Sequence, residues 1–251
     1  MTEEISTFQR LQNALNDLIA ETPAGSKLPS EPELADKLGA SRATLREAMR
    51  TFESQGLLRR QQGLGTFVIK PAHIIESGLE VLESIESQAE KIGLDVSMGH
   101  LNISNIKANT KYAQKLNIEE GEPLIEIRRV ILSEGSPIAY LIDILPNDIL
   151  SPEILSTKFT GSVLDLLIHL GEPALSVSKT EISAVHAPAM VSKKLNIQRG
   201  DTLLLLSGLL FDKAGKPIDI SYSYFLPGYF RFHIIRKIGG VNALPETSRH
   251  I

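Results

Sequence analysis

The chain has 251 residues, a formal net charge of −4 and no cysteine. That length exceeds the ~100 to 200 residues usual for one domain, so two domains are expected. The missing cysteine excludes a disulfide framework, a thiolate metal site and a thiol redox centre. No apolar run approaches the ~20 residues that span a bilayer, and the acidic start MTEEIST is not a secretory signal, so a cytoplasmic protein without a membrane partner is expected.

In chain order, Phe8, Leu11, Leu15, Leu18 and Ile19 recur at helical spacing and predict an amphipathic first helix, broken by Pro23 and Gly25. Ser30 with Glu33 forms a capping box that opens a second helix, with Leu34 and Leu38 inward. Gly39 offers the positive φ that ends it, and Ser41 caps a third helix after a turn of a few residues, so the two helices cross steeply. In the third helix Leu45, Ala48, Met49 and Phe52 face the core, which leaves Arg42, Thr44, Arg46 and Arg50 outward. After Gly56, residues 57–61 and 66–69 read as short strands joined by Gln62, Gly63, Leu64 and Gly65.

Each of these features alone fits a solvated helix face or an ordinary hairpin. Their ordered combination is a winged helix-turn-helix, which reads DNA. A major groove admits one helix, and arginine binds guanine O6 and N7 together or clamps a phosphate. Charge is divided accordingly. Residues 41–70 hold six Lys or Arg against two Glu, a local balance of +4, whereas residues 71–251 hold seventeen basic and twenty-one acidic residues.

The stretch resembles the N-terminal domain of the GntR family of bacterial transcription regulators, whose LPSE, SR-T-REA and G-GT signatures stand here at residues 28–31, 41–48 and 63–66. The resemblance implies DNA contacts from Ser41, Arg42, Thr44 and Arg46, with Gln62 and Gly63 contributing from the wing; Ser30, Arg50, Gly65 and Thr66 are further candidates. Members usually place an arginine where this chain has Pro32, so that contact is absent here.

The DNA-binding domain is assigned to residues 1–70 and a linker to residues 71–77, where Pro71 ends the wing and no period is visible. A second domain follows over residues 78–245. It contains a repeat: KLNIEEGEPLIEIRRVILSEGSPIAYLIDILP from Lys115 matches KLNIQRGDTLLLLSGLLFDKAGKPIDISYSYFLP from Lys194. In each copy a short helix ends at Leu-Asn-Ile, a glycine turn follows (Gly121, Gly200), and two strands form a hairpin through Gly135 or Gly215. Two copies suggest a pseudo-symmetric antiparallel sheet, with a helix over residues 162–170 packed on it through Val163, Leu166, Leu167 and Leu170. The whole chain is then α+β.

Repeat, position and length resemble the UTRA effector-binding domain of the HutC branch of that family, a fold shared with chorismate lyase. The resemblance implies a homodimeric repressor that binds an inverted repeat in double-stranded DNA and whose grip changes when a small metabolite fills an effector pocket, with no cofactor. Strand alternation locates the pocket independently. Arg129 lies in the apolar row of Ile125, Ile127 and Ile131, and Asp219, Ser221 and Ser223 share a face. The repeat register pairs Leu141 with Ser221 and Asp143 with Ser223.

A buried arginine needs an anionic partner, either an internal aspartate or a ligand, and the resemblance favours the ligand. The effector-site candidates are Arg129, Asp143, Ser162, Asp219, Ser221 and Phe225. Members that bind phosphorylated sugars tend to carry polar residues where this chain has Ile131, Leu141, Leu164 and Phe225. The expected effector therefore has at most one anionic group and a sizeable apolar part, is anchored by Arg129 and is oriented by Asp219 and Ser162. It is not a sugar phosphate. The six histidines have no metal-ligand spacing. A lyase-like enzyme is the alternative function, but neither an activated nucleophile nor an acid/base pair is visible.

Overall fold

A computed structural model of the chain describes residues 7–54, 56–61, 63–69 and 74–236. Three helices, α1 (Thr7–Glu21), α2 (Glu31–Lys37) and α3 (Arg42–Ser54), precede a hairpin of β1 (Leu58–Gln61) and β2 (Gly65–Val68). Leu11, Leu15 and Ile19 of α1 pack on Leu34 of α2 and on Leu45, Ala48, Met49 and Phe52 of α3, with Leu58 and Val68 closing the core from the hairpin. Gly39 turns between α2 and α3 at φ +61°, and the Ser41 hydroxyl accepts the Thr44 amide at 3.1 Å to cap α3.

The expected linker is partly structured. Ile75–Gly78 form β3, which pairs in parallel with β10 (Phe230–His233). Four residues are too few for a legible period, and the partner strand is 155 residues distant, so the local sequence carries no sign of it. Residues 71–73 and the expected C-terminal part of the domain beyond 236 lie outside the described residues.

After α4 (Ile85–Lys91) the chain lays down β4 (Val96–Lys107), α5 (Thr110–Leu116), β5 (Pro123–Ser133) and β6 (Ser136–Pro146). Two helices follow, α6 (Pro152–Lys158) and α7 (Val163–Leu170). The pattern then repeats as β7 (Leu175–His186), α8 (Ala189–Leu195), β8 (Thr202–Asp212) and β9 (Pro217–Phe225). The six long strands make one antiparallel sheet in the order β4-β5-β6-β9-β8-β7.

The repeat is longer than the sequence reading gives. It includes β4 and β7, each of 12 residues, whose side chains diverge although their places correspond. Asn117 and Asn196 end the two short helices with the same left-handed φ of 54°. The halves meet where β6 pairs with β9, Ile142 opposite Tyr222. In the sheet Leu141 faces Ser223 and Asp143 faces Ser221, the reverse of the expected pairing. Residues equivalent by repeat become diagonal, because antiparallel strands are related by a local twofold that runs through the Ile142–Tyr222 pair.

Helices cover both faces of the sheet. Leu116 of α5 and Leu195 of α8 join Leu124, Ile144 and Leu203. On the other side Leu155 of α6 and Val163, Leu166 and Leu167 of α7 pack on Ile125, Ile127, Leu145 and Ile218. Among the described residues no helix is long and apolar enough to cross a membrane.

The two domains touch. Arg59 Nη2 donates to Ser136 Oγ at 3.0 Å. Gly56, at φ +70°, approaches Pro227 so closely that a Cβ would run into the Pro227 carbonyl. Here burial, and then the Asp201 carboxylate across the contact, push Glu53 up to about 7. A raised carboxyl favours folding while protonated, so its contribution is present below its ordinary pKa of 4.5 and is lost as pH rises through about 7. Glu53→Gln, which cannot ionise, should therefore unfold at a higher temperature than the unsubstituted chain at pH 8 and at nearly the same temperature at pH 4. Thermal unfolding across that range measures the difference, and an equal offset at both pH values would contradict it.

Candidate DNA-binding face and effector cavity

The third helix presents its start to solvent as the sequence predicts. Arg42 is exposed and makes no ion pair with a described residue. Arg46 is 57% exposed, yet its Nε donates to Glu31 Oε2 at 2.7 Å. Glu31 also pairs with Arg60 of the wing. Arg50, a turn further on, pairs with Glu47 at 3.2 Å. The hydroxyls of Ser41 and Thr44 are hydrogen-bonded to each other at 2.8 Å. The amide and hydroxyl of Ser30 both donate to Glu33, at 2.8 and 2.7 Å.

Gly63 and Gly65 turn the wing at φ +78° and +116°, conformations that suit glycine. Gln62 lies outside the described residues. Thr66, expected among the contacts, is only 6% exposed; it sits opposite Arg60 in the hairpin and at the wall of the cleft that Arg46 and Arg60 line. Sequence reasoning missed Glu31 as the partner of two cations, because only the fold brings α2, α3 and the wing together. It also missed Lys193 and Arg199. They line a cleft of about 1280 Å3 with Lys27, Arg46 and Arg60, bringing second-domain charge to the same side.

The second site is a cavity of about 820 Å3 over the sheet beneath α7. Arg129, Asp143, Ser162, Asp219, Ser221 and Phe225, all six expected, line it. The odd positions of β9 deliver Asp219, Ser221, Ser223 and Phe225 to this face. Gly208 of β8 lies opposite Ser221 in register, and a Cβ there would collide with the Ser221 hydroxyl. Ser162 Oγ accepts the Asp165 amide at 3.0 Å and caps α7. Phe225 packs against Phe230 and Phe232, with ring centroids 4.5 and 5.1 Å away.

The internal alternative for Arg129 is realised in the structure. Its Nη1 donates to Asp143 Oδ2 at 2.9 Å, with the two side chains 6% and 11% exposed. Burial pushes Asp143 upward while Arg129 holds it back. Burial, reinforced by the Asp143 charge, pushes Asp219 well above the usual carboxylate range, against the Ile144 amide that donates to its Oδ1 at 3.1 Å. Glu86 of α4, unmarked in the sequence, is a further acid beside Arg129. Burial raises it, chiefly against Arg129, and neither of its oxygens has a hydrogen-bond partner among the described residues. Among the described residues no cluster of His, Asp or Glu is arranged to hold a metal.

Residues 7–68 match the family described as bacterial regulatory proteins, gntR family, and residues 91–231 match the UTRA domain. The chain belongs to the gntR family. Its UTRA domain places it in the HutC subfamily of these regulators. The histidine utilization repressor of Pseudomonas putida is 29% identical over 184 residues, 73% of each chain. The transcriptional repressor NagR of Bacillus subtilis is 27% identical over 205 residues, 82% of this chain and 83% of NagR. In fold, the crystal structure of PhnF from Mycobacterium smegmatis superposes with a TM-score of 0.62 at 21% identity, covering 90% of this chain and 99% of that one.

This gntR-family chain is thus a DNA-binding transcription regulator with an effector domain; its relatives are regulators and not enzymes, and nothing supports the lyase-like alternative. Arg42→Ala or Arg46→Ala should cost about 1 to 3 kcal/mol in operator binding if each meets a base. Fluorescence anisotropy on an operator duplex at fixed salt measures this, and unchanged affinity in both folded variants would contradict the assignment.

Proposed function

We propose that the regulator acts in the cytoplasm as a homodimeric repressor on an inverted-repeat operator in double-stranded DNA, and that a small molecule held in the cavity above β5, β6 and β9 changes its grip. The observation that carries this reading is the pairing, in one chain, of a helix start bearing exposed arginines with a large polar-floored cavity in a separate domain. Ser41, Arg42, Thr44, Arg46 and Arg50 are the helix residues assigned to DNA, with Gly63 and Gly65 giving the wing its close backbone approach and Ser30 flanking them. Lys193 and Arg199 add positive charge on the same side. Arg129, Asp143, Ser162, Asp219, Ser221 and Phe225 are assigned to the effector. The domain boundary is placed between β2 and β3.

Dimerisation follows from scale. One winged helix covers too few base pairs for genomic specificity, and two related by a twofold read a palindrome. Repression is supported by the names of relatives such as NagR and the histidine utilization repressor.

Selection of bound duplexes from a random-sequence library by the full-length chain should return an inverted repeat, and sedimentation of the chain from Ile74 onward, which retains β3, should give a dimer. Enrichment of a single half-site, or a monomeric fragment, would contradict this arrangement.

A further inference from the structure

Among the described residues the cavity is lined by four acids, Glu80, Glu83, Asp143 and Asp219, and by one base, Arg129, with no lysine or histidine. Two of the acids have cationic partners: Glu83 pairs with Lys91 and Asp143 holds Arg129. Glu80 and Asp219 each accept a backbone amide, from Ile235 and Ile144. Glu80 is exposed to water, whereas Asp219 is 5% exposed and, among the described residues, has no ion-pair partner.

A buried carboxylate without a counter-charge is costly, and an entering cation relieves it. A net anion would instead have to settle among acids whose single cation is already spent. Ser221 and Ser223 stand on the same strand face as Asp219 and offer hydroxyl acceptors for the other hydrogens of an ammonium group. Leu141, Leu206 and Phe225 supply apolar wall. Arg129 gives a second, independent sign of a ligand: more than nine-tenths buried and lining the cavity, it has an Nε with no partner, a donor that suits a neutral acceptor such as a hydroxyl.

We propose that the effector is a primary amine, bound as its ammonium cation against Asp219, with its apolar body along Leu141, Leu206 and Phe225. This rests on the reading of the cavity as the effector site. It replaces the anionic anchor expected at Arg129 from sequence, because Arg129 is committed to Asp143.

The test uses the full-length chain, thermal unfolding and calorimetry with benzylamine, tyramine and tryptamine, each beside its matched alcohol and carboxylate, and with glucosamine 6-phosphate as the anionic probe. An amine should raise the unfolding temperature and bind about ten- to a hundredfold more tightly than its alcohol, the factor for one charge-assisted hydrogen bond. Its carboxylate should not bind, and Asp219→Asn should erase the preference. Should that variant fail to fold, Ser223→Asp, which adds an acid on the same face, should tighten amine binding.

No binding by any amine, a carboxylate or the sugar phosphate binding as well as the amine, a preference that survives Asp219→Asn, or no tightening in Ser223→Asp would each overturn the proposal. Operator titrations of the same samples separate the two readings. Loss of DNA binding by the unsubstituted chain would count against the regulator itself, whereas operator release by a carboxylate would count against the amine alone.

Discussion

The pairing of β6 with β9 is the constraint on which the second domain depends. Each half of the repeat is a helix and three strands that cannot bury its own inner edge. Joining the halves at Ile142 and Tyr222 satisfies the backbone of both edges and makes one six-stranded sheet. The join also fixes which side chains meet. Asp143 falls opposite Ser221, and Asp219 comes close enough to accept the Ile144 amide, so the polar floor of the cavity is a product of the seam.

That floor is expensive to hold. A buried arginine and aspartate exchange several kcal/mol of hydration for their mutual attraction and gain little net stability from it. Apolar residues of similar size would serve the sheet as well, so Arg129 and Asp143 are better understood through what they do to the cavity: they consume each other's charge and leave Asp219 as the buried cavity-lining acid that has no ion-pair partner among the described residues. On the DNA-binding domain a single acid plays the opposite part. Glu31 sits between Arg46 and Arg60, draws helix and wing together, and keeps two cations ordered in the free protein, while Arg42 stays unpaired at the helix start.

Much of this was legible in sequence because local chemistry dictates it. The capping box at Ser30, the turn at Gly39 and the apolar row Leu45, Ala48, Met49 and Phe52 specify the three-helix core without long-range information. Alternation along β5 and β9 put Arg129 and Asp219 on the cavity face. What escaped depends on contacts between distant segments. β3 is a strand only because β10 lies beside it, and Glu86 approaches Arg129 only through the packing of α4. Lys193 and Arg199 reach the DNA side only through the contact between domains. The cross-strand partners of Leu141 and Asp143 were misread because sequence repeats report equivalence, and a twofold converts equivalence into diagonal placement. The burial of Thr66 escaped for a related reason: its signature position does not reveal which face of a four-residue strand turns inward.

Regulation by an effector requires that a ligand on the floor made by β6 and β9 be felt by the arginine-bearing helix α3. Hydrogen exchange of the full-length chain, with and without a bound amine, measures that coupling. Protection should rise in Val163–Leu170 and Pro217–Phe225, with a change of rate in Arg42–Ser54 although no ligand touches it. Protection confined to the cleft around Lys193 and Arg199, or an unaltered Arg42–Ser54 when the cavity is saturated, would contradict it.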